Sequence, residues 1–118
     1  CCERKSAADL YSTVGSGRAR FEREHQRMAE MVAAGGFACV VIEASVSAVL
    51  SRPPQNSRLN PKTVFRTWLS WTQRYRVPWM FVDGRRLGEI TTFRTLEKFW
   101  IEQQSKKEQD QKENQTGN

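Results

Sequence analysis

The sequence predicts an α/β domain built on a mostly parallel central sheet flanked by helices. Residues 37–43 form a near-continuous apolar run rich in β-branched side chains, as in a strand buried on both faces of a parallel sheet. Residues 77–82 read as a further strand, ended by the turn formers Asp83-Gly84. Stretches with helical spacing and recognisable caps lie between, and strand, helix, strand in that order calls for a parallel pair with a right-handed crossover. With 118 residues, 38% of them hydrophobic, and with four Trp and six Phe, the chain fills one core and not two.

The elements follow in order. If residues 1–5 are extended, a period of two puts Glu3 and Lys5 on one face and Arg4 on the other. Ser6 followed by Asp9 resembles a capping box, opening a helix with Leu10 and Val14 as apolar anchors. Gly15-Ser16-Gly17 marks a loop. Residues 18–34 then read as a helix closed by Gly35-Gly36. Phe21, His25, Met28 and Val32 share its apolar stripe, leaving Arg18, Arg20, Arg23 and Arg27 on other faces. A lone His on such a stripe reads as a packed boundary residue rather than a general base. Cys39, inside the apolar run, reads as a small buried hydrophobe, and the three cysteines match neither a disulfide framework nor a zinc site.

Residues 44–50 suggest a short helix and residues 51–60, with Pro53-Pro54, a loop whose Arg52 and Arg58 either touch a DNA backbone or form plain surface. Asn60-Pro61 is a cap and first helical residue, followed by the stripe Val64, Trp68, Trp71 and Tyr75. The two tryptophans, with Arg66, Arg74 and Arg76 interleaved, suggest base stacking, but their helical spacing favours core packing. A final helix is expected over residues 85–101, with Leu87, Ile90, Phe93 and Leu96 facing inward. One domain is thus expected over residues 1–101. Residues 102–118 form a polar tail, a frayed helix end or a disordered segment, because residues 105–118 have no apolar side chain to bury.

The net charge is +6, and acids outnumber lysines from residue 102 onward, so the folded part carries the positive excess. Such an excess suits a polyanion, with Arg and Lys supplying salt-dependent contacts to phosphate. No apolar stretch approaches the roughly 20 residues needed to span a bilayer, and no signal peptide is evident, so a soluble intracellular protein of cytoplasm, nucleoid or nucleus is expected.

The opening cluster Glu3-Arg4-Lys5, with Asp9, carries the chemistry. A hard cation takes oxygen ligands and lowers the pKa of bound water, which suits Glu3 as ligand. A lysine two residues on, on the same face, orients the attacking water or stabilises charge on a phosphate. The plainer alternative is a solvated charge run at a frayed terminus. Asp9 is either a helix cap complementing the dipole or a group facing the metal or positioning Lys5.

Glu-Arg-Lys, three residues, Asp, a short helix, Gly17-Arg18, a long basic helix and the strand end Val40-Val41-Ile42-Glu43 resemble XPF-type structure-specific endonucleases, most strongly over residues 3–43 and loosely to about residue 101. The resemblance implies a restriction-endonuclease-like core that cuts branched, flap or junction DNA with Mg2+ or Mn2+. It implies Glu3, Lys5 and Asp9 as catalytic residues, Glu3, Asp9 and Glu43 at the metal, and Arg4 and Arg18 near DNA phosphates or bracing the site. A homo- or heterodimer is compatible with it. The family pattern also has an Asp-x-Arg strand and a Gly-Asp pair upstream of this motif. Their absence from a chain that opens at Cys1 leads to the expectation of a core whose first strands are missing and of a fragment that is inactive on its own. Two rivals stand beside the nuclease: a non-catalytic DNA-binding or scaffold module of the same fold, and a small α/β domain binding another anion.

Overall fold

The computed structural model describes residues 1–116. In chain order it holds β1 (Cys2–Lys5), α1 (Ala7–Val14), α2 (Arg18–Ala33), β2 (Cys39–Ile42), α3 (Val46–Ser51), α4 (Pro61–Tyr75), β3 (Trp79–Phe81) and α5 (Arg85–Thr116). The strands form one sheet in the order β1-β2-β3, both pairs parallel, with Glu3 opposite Val40 and Lys5 opposite Ile42. A small parallel sheet flanked by helices is the arrangement of a restriction-endonuclease-like core, as expected from the sequence.

The helix boundaries are set by local hydrogen bonding. Ser6 Oγ accepts from the Asp9 amide at 3.1 Å, Ser45 Oγ from Ala48 at 3.1 Å and Asn60 Oδ1 from Lys62 at 2.9 Å, so three helices open on a side-chain cap. α2 closes on a Schellman turn in which the Gly36 amide donates to Met31 at 2.9 Å and the Gly35 amide to Val32 at 3.0 Å. Gly35 has φ +94°, a conformation that a side chain would strain.

Alternation along the strands separates two layers. Val40, Ile42 and Trp79 turn toward α1, α2, α3 and α4 and share a core with Leu10, Phe21, Val49, Val64 and Trp71. Tyr11 ties α1 to α3 by donating its hydroxyl to the Val49 carbonyl at 2.6 Å. Cys39 is fully buried, as expected, and burial pushes its thiol up to about 12. The core is also the fate of Trp71, and Trp68 packs edge-on against Phe81 with ring centres 4.8 Å apart, so neither indole is offered to a base.

α5 covers the other face, and here the sequence expectation is corrected. Leu87, Ile90, Phe93 and Leu96 do not face inward; they are 41–62% exposed. Residues spaced by three fall back about 60° per step around a helix, so four of them wrap about half the circumference and cannot share one face. The inward side is carried by buried Gly88 and by Phe99, whose ring lies 5.8 Å from that of Phe37. α5 also continues past Ile101 to Thr116, its outer half dominated by Glu, Gln and Lys, which favour helix without needing a core. Residues 117 and 118, the end of the tail expected to be frayed or disordered, lie outside the described residues.

His25 is fully buried between α2, α4 and β3. Its Nδ1 lies 3.0 Å from the Phe21 carbonyl, and its Nε2 accepts from Trp79 Nε1 at 2.9 Å, which requires the neutral ring with the proton on Nδ1. Burial pushes its pKa below the ordinary 6.5, outweighing the hydrogen bond to Phe21 that opposes it. Because the unfolded chain binds this proton more readily than the folded one, stability from this site is complete above about pH 6.5 and falls as pH drops through the lowered value. Denaturant titrations at pH 7.5 and pH 5 are expected to show less stability at pH 5 in the wild type and a smaller difference in His25→Gln. An equal difference in both would place the pH effect elsewhere.

Candidate functional site

β1 passes directly into the cap of α1, so the carboxyl end of the strand and the amino end of the helix meet at the charged cluster. The pleat puts Glu3 and Lys5 on the face covered by α2. There the Lys5 ammonium lies 3.3 Å from Glu3 Oε1 and 4.9 Å from the centre of the Phe21 ring. The Lys5 side chain is only 10% exposed, so the ammonium is held by a carboxylate and a ring face rather than by water. Asp9, in the first turn of α1, joins Glu3 and Lys5 on the wall of one cleft of about 450 Å3. The sequence-predicted catalytic set is therefore brought together, and the Ser6 cap shows that the Asp9 backbone also serves the helix start.

α2 contributes to this cleft two groups that sequence reasoning missed, Arg20 and Glu24. Glu24 lines the cleft together with Glu3 and lies 3.6 Å from Arg20 Nε. Burial raises the Glu3 carboxyl above its ordinary 4.5; Lys5 pulls it down, and Glu24 adds to the rise. The available signal was spacing: Phe21 faces the sheet, and Glu24 is its i+3 neighbour on the same helix.

The remaining predicted residues lie elsewhere. Arg4 points to the α5 face, where its Nε donates to Glu43 Oε1 at 3.1 Å and its Nη2 lies 3.0 Å from the same oxygen and 3.6 Å from Glu89. Glu43 follows Ile42, the partner of Lys5, so its side chain turns to the face opposite Glu3. α5 closes over it so tightly that a Cβ on Gly88 would stand 2.7 Å from Glu43 Cγ. Glu43 is thus not brought to Glu3 and Asp9. Arg18 Nη1 donates to Thr67 at 2.8 Å, and its guanidinium lies 4.9 Å from the Trp71 ring centre, bracing α2 against α4.

Among the described residues no group of three or more His, Cys, Asp or Glu side chains converges as a metal cage. Mg2+ is usually held by one or two carboxylates completed by water and substrate phosphates rather than by an all-protein cage. Glu3 and Asp9, on the wall of one cleft, are oxygen donors of the type such an ion takes.

The parallel α/β core thus carries Glu3, Lys5 and Asp9 around one cleft. The ERCC4 domain family matches residues 1–87, from β1 into the first turn of α5, and the chain belongs to that family. Its members are generally nucleases. No curated protein and no solved structure gives a significant match. Among the described residues no helix is long and apolar enough to cross a membrane.

Proposed function

We propose that this chain is a metal-dependent endonuclease domain that hydrolyses phosphodiester bonds at branched, flap or junction DNA, using Mg2+ or Mn2+. What supports this most is the Lys5 ammonium, held 3.3 Å from Glu3 at a cleft shared with Asp9. A divalent cation at Glu3 would supply a bound water of lowered pKa and a Lewis acid for the phosphate. Lys5, kept in position by Glu3 and Phe21, adds fixed positive charge where the phosphorane charge develops. Asp9 orients the attacking water or completes the ligand set from the amino end of α1. Arg4 and Arg18, tied to Glu43 and Thr67, brace the strand and helix that carry these groups. Arg20, largely exposed at the rim, is placed to meet a backbone phosphate. The net charge of +6 supports DNA as the partner, and work on DNA suits the cytoplasm, nucleoid or nucleus.

The test is cleavage of a labelled flap or splayed-arm duplex with Mn2+ by the full-length protein, as wild type, Glu3→Ala and Lys5→Ala. Metal-dependent cutting is expected in the wild type, with losses of at least about a hundredfold in both variants. If the wild type binds the duplex without cutting it and the variants bind equally well, the non-catalytic DNA-binding module takes the place of the nuclease.

A further inference from the structure

We infer that Cys2 and Cys39 are a peroxide-reactive thiol pair, which closes to a disulfide that staples β1 to β2. The two residues are register partners in neighbouring parallel strands, and Cys39 donates its thiol hydrogen to the Cys2 sulfur at 3.2 Å. Paired strands lie about 4.8 Å apart, inside the Cα separation of roughly 4.4–6.8 Å that a disulfide spans. Closing the bond therefore asks for side-chain rotation rather than a shift of the backbone. The pleat puts Cys2 on the face that carries Arg4, under α5, and away from Glu3 and Lys5.

The two thiols differ in access, which gives them different roles. Cys2 is half-buried on β1, at the edge of the sheet, whereas Cys39 is fully buried on the central strand. The Cys39 thiol, pushed up to about 12 by burial, stays protonated at neutral pH, so the first attack falls to Cys2. The Cys2 thiolate attacks one oxygen of hydrogen peroxide and the O–O bond breaks. The other oxygen leaves as water with the proton that Cys2 gave up, and Cys2 is left as a sulfenic acid. The Cys39 sulfur, already in contact, then attacks the Cys2 sulfur; the S–O bond breaks, and the hydroxyl leaves as a second water with the Cys39 proton. Two thiols are oxidised to one disulfide, and one peroxide is reduced to two waters. Among the described residues β1 is paired with β2 alone, so the bond fixes in register the strand that carries Glu3 and Lys5.

The experiment treats the fully reduced chain with a slight excess of hydrogen peroxide, blocks the remaining thiols in denaturant, and maps tryptic peptides by mass without reduction. The wild type, Cys1→Ser and Cys2→Ser are compared. Cys1 is exposed and shares a tryptic peptide with Cys2, so Cys1→Ser identifies the partner of Cys39. The wild type and Cys1→Ser are expected to give a peptide pair joined through Cys39 that dithiothreitol separates. Cys2→Ser is expected to keep Cys39 as a free thiol. Oxidised Cys1→Ser is expected to melt several degrees above its reduced form, because the bond between residues 2 and 39 closes a long loop in the unfolded chain. Cys39 left as a free thiol in Cys1→Ser, Cys2 carried on to the sulfinic acid, or Cys39 joined to Cys1 as readily as to Cys2 would overturn the pair. A cross-link that forms but lowers the melting temperature would overturn the staple.

Discussion

Trp71→Ala is expected to destabilise the protein by about 3–5 kcal/mol, enough to consume much or all of the folding free energy of a domain this size. The indole is 1% exposed and touches three aromatic partners, with ring centres 5.5 Å from Phe21, 4.8 Å from His25 and 5.9 Å from Tyr75. Its removal leaves a cavity between α2 and α4 that β3 cannot fill, since Trp79 is fixed by its bond to His25. The Arg18 guanidinium loses the ring under it as well, loosening the start of the helix that carries Arg20 and Glu24. Urea denaturation followed by circular dichroism checks this, with Trp100→Ala as the comparison. Trp100 is 62% exposed on α5, and its replacement is expected to change stability by no more than about 0.5 kcal/mol. Similar losses in the two variants would show that the cluster around Trp71 is not the centre of the core.

The difference between these tryptophans shows how far the sequence was legible. Trp71 lies at helical spacing from Val64 and behind an Asn-Pro start, so periodicity and capping agreed and the structure followed them. The same held for Ser6, for the Gly35-Gly36 close of α2, and for the apolar strand around Val40. α5 failed because its apolar residues recur every three positions, a pattern that spirals around a helix. The residue that meets the sheet is Gly88, which carries no hydropathy signal. Within the site, Glu3 and Lys5 were legible because strand alternation is local and obligatory. Glu43 was not, because its side depends on the register of β1 against β2, a property of neither segment alone. Glu24 was hidden for the same reason: its closeness to Glu3 arises from packing α2 on the sheet through Phe21.

Lys5→Met is expected to cost about 2 kcal/mol of stability while removing the nuclease activity proposed for this site. Methionine keeps the length and the contact with Phe21 but leaves Glu3 with no counter-charge, and Glu3 is already disfavoured as an anion by burial and by Glu24. The figure lies below that for breaking a fully buried pair because the Glu3 side chain remains 29% exposed and water screens part of the loss. A double-mutant cycle separates the two roles of the ammonium. Glu3→Gln combined with Lys5→Met removes both charges, so the double variant is expected to recover most of the lost stability, read as a return of the urea midpoint toward the wild type. It is expected to recover none of the cutting, because positive charge beside the phosphate and the carboxylate ligand are both gone. If the double variant is as unstable as Lys5→Met, the two side chains are not coupled and the ammonium owes its place to Phe21. If Lys5→Met cuts DNA at the wild-type rate, Lys5 is a structural cation filling the interface between β1 and α2.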